Sequence, residues 1–399
     1  MGTVNRPVSV AERRARLAAR HYLAPASRGT ASPGGVASAV DGIIALHGTD
    51  PASVYLAAWA RTGASRADIE HALYAEGALV RMLGMRRTVF VVPAGLMPVI
   101  QAACTDQIAG RLRRGLAKQV QESAIAEDGA AWLKEAGEAT IRALAARGSA
   151  TGAELARDEP RLRAQIVYPG TEGKSYGGPV NVTTRLLTLL SAEGLIVRGR
   201  PRGGWTSSQF TWTVAPGQPV PDAAAARVEL ARRWLHAFGP AAPADLQWWA
   251  GWTATQTRQA LGQLALAEVD LDGTAGVMLA ADQDAPAAAE PWAALLPALD
   301  PAAMGWRDRG WYLGGHAAAL FDRSGNIGPT AWWDGRIVGG WAHRPDGEIA
   351  VRLLEDAGAE AAAALDAEAG QLSEWIGKDS GIRITPRFRT PLERELAAS

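Results

Sequence analysis

Between two apolar stretches lies Leu46-His47-Gly48-Thr49-Asp50-Pro51, which sets an imidazole and a hydroxyl two positions apart and follows them at once with a carboxylate. A neutral imidazole, with an ordinary pKa of about 6.5, can accept a proton from water at neutral pH, and a nearby hydroxyl can hold the same water. The apolar spacing predicts a helix over 36–47 that stops at Gly48. His47 would then sit at a negative helix end, which raises its pKa and turns it toward phosphate binding, so both roles stand. A histidine ending a helix also caps carbonyls with no chemistry at all. Asp50 before Pro51 reads first as an N-cap with proline at N1, and second as a carboxylate that would stabilise a developing cation.

The elements around this segment follow a recurring order of helices and then a hairpin. It is clearest in 129–216. There one helix carries Trp132, Ile141 and Leu144, a second contains Ala153-Glu154-Leu155, and a third runs from Pro179 to Glu193 with Gly194 as its stop. Strands 195–198 and 205–213 follow, joined by a Gly/Pro-rich turn. Three helices and a hairpin make a winged-helix pattern. Val182, Leu186, Leu189 and Leu190 point inward, leaving Asn181, Thr184, Arg185 and Thr188 as a polar stripe of the kind that meets a duplex. Arg198, Arg200 and Arg202 alternate on the wing, where they suit phosphate contact, and Lys174 and Tyr176 lie in the loop ahead of the third helix.

Within 1–128 the same order appears as helices 36–47, 51–61 and 66–75, then a hairpin over 79–93 bearing Arg81, Arg86 and Arg87. Ser9 opens an earlier Arg-rich helix over 10–22, and 94–128 forms a linking helix with Arg111, Arg113, Arg114 and Lys118. Within 217–286, helices 228–238, 243–250 and 255–264 precede strands around Val269 and Val277, with Asp272-Gly273 at the turn. The remainder, 287–399, reads as antiparallel strands at Trp311–Leu313, Ala318–Phe321, Thr330–Trp333 and Arg336–Trp341, with an Asp334-Gly335 turn and a helix over 355–377. The expected fold class is therefore α+β: three tandem winged-helix units plus a C-terminal antiparallel-sheet region whose aromatic strands form a core.

Bulk composition narrows the function. Lys+Arg and Asp+Glu both total 41, yet residues 1–213 hold 26 basic and 17 acidic side chains, whereas 214–399 hold 15 and 24. The first half thus faces a polyanion more readily than the second. Cys104 is the single cysteine, which excludes an internal disulfide or thiolate zinc site and fits a reducing cytosol. His21, His71, His236, His316 and His343 show no ligand spacing, and neither a Walker loop nor a dinucleotide fingerprint is present, so neither metal nor cofactor is expected. No apolar run approaches the roughly 20 residues needed to span a bilayer, and the N-terminus lacks a signal-peptide core, so no membrane partner is expected.

In the order and spacing of several segments the chain resembles the AlkZ-like/YcaQ-like winged-helix DNA glycosylases over nearly its whole length. Those segments are the hinge Leu46 to Arg61, the wing Leu79 to Thr88, the second wing Arg198 to Trp212, and the stretches Leu296-Pro297-Ala298-Leu299-Asp300-Pro301 and Asp334-Gly335-Arg336-Ile337-Val338-Gly339. The resemblance implies a C-shaped cradle of three winged helices and the excision of alkylated purines, bulky or crosslinked adducts of genotoxic natural products included. The family signature is Gln-x-Gln, with Gln-x-Asp and His-x-Gln variants; this chain has His47-Gly48-Thr49 there, and Phe90 where a histidine is common.

That resemblance assigns catalysis to His47 and Thr49, Asp50 stays a second candidate for its carboxylate, and double-stranded DNA becomes the expected partner of the wing and stripe residues Arg81, Arg86, Arg87, Asn181, Thr184, Arg185, Arg198, Arg200 and Arg202. Cleaving a sugar C1′–purine bond passes through an oxocarbenium-like sugar. An N7-alkylguanine or N3-alkyladenine already carries positive charge, so little acid assistance is needed and the site must orient water and stabilise a cation. The expectation is a monomeric, cytosolic, monofunctional glycosylase acting in repair or genotoxin self-resistance. The rival is a non-catalytic DNA-binding protein such as a transcriptional regulator, which would dimerise on a palindrome; three dissimilar units favour cradling one lesion. A third reading is a damage-binding relative that has lost hydrolysis.

Overall fold

Local caps mark where most helices begin. A computed structural model describes residues 6–167, 179–217, 219–287, 290–377 and 381–398. Ser9 accepts from the Glu12 N–H to start Val10–Arg20, and Asp50, with Pro51 behind it, starts Pro51–Thr62. Reciprocal capping boxes, Ser65 with Asp68 and Thr253 with Gln256, open Arg66–Glu70 and Ala254–Leu261. Lys174 and Tyr176 lie outside the described residues.

The chain packs as two units. One comprises residues 1–79, 90–94 and 227–399; the other comprises 80–89 and 95–226. In the second unit, helices Gly129–Arg147, Gly152–Asp158 and Val182–Ala192 precede the strands Ile196–Pro201 and Phe210–Val214, which pair antiparallel. This is the expected order of three helices and a hairpin. The third helix starts later than predicted, because Val180–Asn181 is a short strand paired with Gln165–Ile166. Its apolar face, Val182, Leu186, Leu189 and Leu190, joins a core with Leu133, Leu144, Leu155 and Ile196.

In the first unit Pro33–Gly42, Pro51–Thr62 and Arg66–Glu70 follow the expected series. One expectation fails: the helix over 36–47 stops at Gly42. Ile44 is left-handed, with φ of 70°, and Leu46–His47 is a short strand antiparallel to Val89–Pro93, with His47 opposite Phe90. An unbroken apolar run kept helical periodicity across 43–46, but ladder pairing decides the backbone there. Ala223–Phe238, Pro243–Ala250 and Ala254–Leu261 then precede the antiparallel strands Leu266–Asp270 and Ala275–Leu279, with Asp272 and Gly273 both at positive φ as an Asp-Gly turn demands.

The C-terminal region holds a four-stranded antiparallel sheet in chain order: Ala293–Leu296, Thr330–Trp333, Arg336–His343 and Ile349–Leu353. Trp332 and Trp341 are fully buried, and the Trp341 indole donates to the Leu296 carbonyl at 2.9 Å, so the aromatic strands are core, as expected. Gly335, at φ of 77°, turns the 330–343 hairpin where a Cβ would come within 2.5 Å of Arg14. Two predicted strands are instead short helices, Gly310–Leu313 and Ala317–Leu320; brief apolar runs carry too few periods to separate the two states. The predicted 355–377 helix is Ala359–Ile376, and a further helix, Pro391–Ala398, closes the described chain.

One ion pair ties the sheet region to the 51–62 helix. Arg61 donates from Nη2 to Asp300 Oδ1 at 2.7 Å and from Nη1 to Oδ2 at 2.9 Å, and Nη1 also reaches the Ala57 carbonyl at 2.9 Å. Both side chains are almost wholly buried. Removing one partner leaves a buried charge alone, so Arg61→Met is expected to cost about 3–5 kcal/mol in urea unfolding, more than Arg61→Met combined with Asp300→Leu.

His21 is 0% exposed, edge-on to Phe238 at 4.8 Å and stacked on Trp306 at 5.9 Å. Burial first, and then the Arg61 charge, push its pKa down to about 3. The unfolded chain takes up that proton near pH 6.5 while the folded chain does not. Stability should therefore fall by about 1.4 kcal/mol for each pH unit between 6.5 and 3 from this group. His21→Leu is expected to flatten that part of the acid-unfolding curve, whatever its effect at pH 7.

Candidate active site

His47 is positioned from two sides. The short strand puts its ring against Phe90, centroids 5.4 Å apart at an angle of 61°, and the half-turn that follows brings the Thr49 N–H to Nδ1 at 3.5 Å. With Nδ1 accepting, the proton of a neutral His47 resides on Nε2, so the ring presents a donor. The negative helix end expected beneath His47 is absent, because the helix has ended five residues earlier. Thr49 is half-buried beside it.

Asp50 is 7% exposed and is the N-cap that its sequence context suggested. Oδ1 accepts from the Ala52 N–H at 3.3 Å and Oδ2 from the Ser53 hydroxyl at 3.0 Å. The three candidates thus fall within four residues on a strand-to-helix passage, an imidazole, a hydroxyl and a buried carboxylate in order.

Sequence reasoning missed a neighbour. Asp50, Ser53 and Leu56 line a small cavity of about 10 Å³, room for one water, and its far wall includes Pro297, Trp341 and His343. His343 Nδ1 accepts from the Ile384 N–H at 3.1 Å, and burial first, then Arg383, lowers its pKa, which keeps it neutral with Nε2 as donor. Nothing in the local sequence of His343 marks this position. Among the described residues no three His, Cys, Asp or Glu side chains group as metal ligands. No helix among them is long and apolar enough to cross a membrane.

The predicted DNA-facing residues divide. Arg81 is 3% exposed, opposite Arg198 in the ladder, and its guanidinium lies over Phe210 at 4.5 Å. A side chain so enclosed props the sheet and does not reach a phosphate, which corrects the expectation for Arg81. Arg86 and Arg87 occupy the turn between the strands Leu79–Leu83 and Val89–Pro93, both at positive φ, with Arg87 exposed. Asn181 and Thr184 are exposed and Arg185 half-buried at the start of Val182–Ala192. On the second hairpin Arg200 is exposed, Arg198 sits over Phe210 and Trp212 at 5.4 and 5.5 Å, and Arg202 pairs with Glu154 at 2.6 Å.

The cap and the charge of Asp50 are separable. Asparagine caps as well as aspartate, so Asp50→Asn is expected to keep stability within about 0.5 kcal/mol while Asp50→Ala loses about 1–2 kcal/mol, both read from urea unfolding midpoints.

The sequence matches the family model described as DNA glycosylase AlkZ-like over residues 40–375. The fold is similar to that of Streptomyces sahachiroi DNA glycosylase AlkZ, with a TM-score of 0.70 and 20% identity, covering 95% of this chain and 99% of that one. No curated protein sequence matches it.

Proposed function

Since the chain belongs to the AlkZ-like DNA glycosylase family, we propose that it hydrolyses the N-glycosidic bond of alkylated purines, N7-guanine or N3-adenine adducts, in duplex DNA, with 47–50 as its catalytic loop. The observation that carries this reading is the Thr49 N–H directed at His47 Nδ1, which in the neutral ring puts the proton on Nε2, with a hydroxyl and a buried carboxylate in the next three residues. His47 then acts by donation, to the attacking water or to a flanking phosphate, and not as a general base through Nε2. An amide at the first position of the family signature donates in the same way.

In this reading water oxygen bonds C1′ as the C1′–N bond breaks. The bonding pair neutralises the cationic purine, which leaves without needing a proton, and the water's proton passes to solvent. Asp50 supplies negative charge for the developing sugar cation, and its burial strengthens that field. Thr49 orients the water. Arg86, Arg87, Asn181, Thr184, Arg185, Arg198 and Arg200 are the proposed DNA contacts, and Arg202 joins them only on leaving Glu154. We place a monomer in the cytosol, cradling one lesion with three winged-helix modules, in repair or genotoxin self-resistance.

The test is base release from duplex DNA carrying N7-alkylguanine, read as strand breaks after hot alkali. His47→Ala should lower the rate about 10²–10³-fold, the usual effect of losing one aimed donor, whereas His47→Gln should stay within about tenfold of wild type. No protein-dependent breaks with any purine adduct, together with tight binding to one undamaged sequence, would replace this reading with a DNA-binding regulator.

A further inference from the structure

The helix Asp106–Glu122 carries a line of polar side chains that the proposed catalytic loop and hairpins do not use. Its inner face, Ile108, Ala109, Leu116 and Val120, is buried. The opposite face holds Gln107, Arg111, Arg114, Lys118 and Gln121 at spacings of four, three, four and three residues, all exposed. That alternation keeps them on one stripe of a helix.

Partnering separates this stripe from several other cations of its unit. Arg113, on the same helix, is tied to Glu193 at 2.8 Å; Arg161 is held by Glu159 at 2.8 Å; Arg147 pairs with Asp158 and Arg202 with Glu154. Among the described residues Arg111 and Arg114 form no ion pair. Lys118 meets Glu122 at 3.4 Å, but that pair is open to solvent and weak. Beside it, a Cβ on Gly115 would touch nothing within 4 Å, so bare backbone is open to approach there.

We propose that this outward stripe, Arg111, Arg114 and Lys118 with Gln107 and Gln121 at its ends, is a phosphate-tracking surface for duplex DNA. The dimensions fit. Arg111 to Lys118 spans about 10 Å at about 1.5 Å per residue, and a DNA strand carries a phosphate about every 3.4 Å of duplex axis, so three cations face about three phosphates. The apolar face packed behind the stripe holds its spacing. The contact is sequence-independent and supplies affinity, not lesion choice.

The inference rests on DNA being the substrate but not on catalysis, so it is read by binding to an undamaged duplex, apart from base release. Fluorescence anisotropy over a salt series is compared for wild type, R111Q/R114Q/K118Q and the charge-preserving R111K/R114K. Each lost phosphate contact lowers the slope of log Kd against log salt by about 0.9. The neutral triple variant is expected to lose about 2 to 3 from the slope with an unchanged melting temperature, and R111K/R114K to keep the wild-type slope. R323Q/R394Q, which removes two exposed charges elsewhere, should also keep it. Should the triple variant fold poorly, R111Q/R114Q is expected to lose about 1.8. A wild-type slope in the neutral variants, or an equal fall in R323Q/R394Q, overturns the proposal. Base release failing while the slope falls as expected removes the enzyme reading alone.

Discussion

Arg61 and Asp300 meet across 239 residues of sequence, and the geometry of the candidate site depends on that meeting. The guanidinium takes both carboxylate oxygens and a carbonyl one turn back on its own helix, so rotation and translation of Pro51–Thr62 are fixed together. At the other end of the same helix stands Asp50. The carboxylate of Asp300 also caps the short helix Pro301–Met304 through the Ala302 N–H, and Leu299 before it is held at φ of 62°. A single buried pair thereby sets the orientation of the loop, the cavity wall at Pro297 and the edge of the C-terminal sheet. An apolar pair of equal volume would bury more cheaply, but it would fix neither angle nor register.

Much of this was legible from sequence wherever a local signal and the tertiary environment agree. Asp50-Pro51, Ser9, Asp272-Gly273 and Asp334-Gly335 each act through backbone chemistry within a few residues, and each sits where the sequence placed it. Where distant partners decide, sequence misleads. Ile43 and Ile44 continue a helical pattern, yet strand pairing of 46–47 with 90–91 turns the chain out of helix and gives His47 a different electrostatic setting. The Trp311 and Ala318 runs are too short for periodicity to separate strand from helix. His343 reaches the Asp50 cavity only because the sheet brings its strand there.

The arginines show the same limit in another form. Composition gives their number, and spacing suggests a face, but neither gives the partner. Arg81 reads as a wing residue and is a buried prop over Phe210; Arg113 reads like its helix neighbours and is bound to Glu193. A cation engaged by a carboxylate in the folded chain has little left for a phosphate, so the polyanion-facing charge of the first half is much smaller than the raw count of 26 basic residues.

The interleaving of the two units has a consequence for the moment of synthesis. All twelve residues of Pro51–Thr62 are buried in the finished protein, and the helix is apolar for most of its length. The acid that anchors it lies 239 residues further on, which at about 5–20 residues per second leaves it without that partner for roughly 12 to 48 s on the ribosome. Meanwhile the nearly continuous second unit can finish folding. The first 79 residues are thus emitted early and completed late, with their apolar helix waiting for partners that have yet to be made.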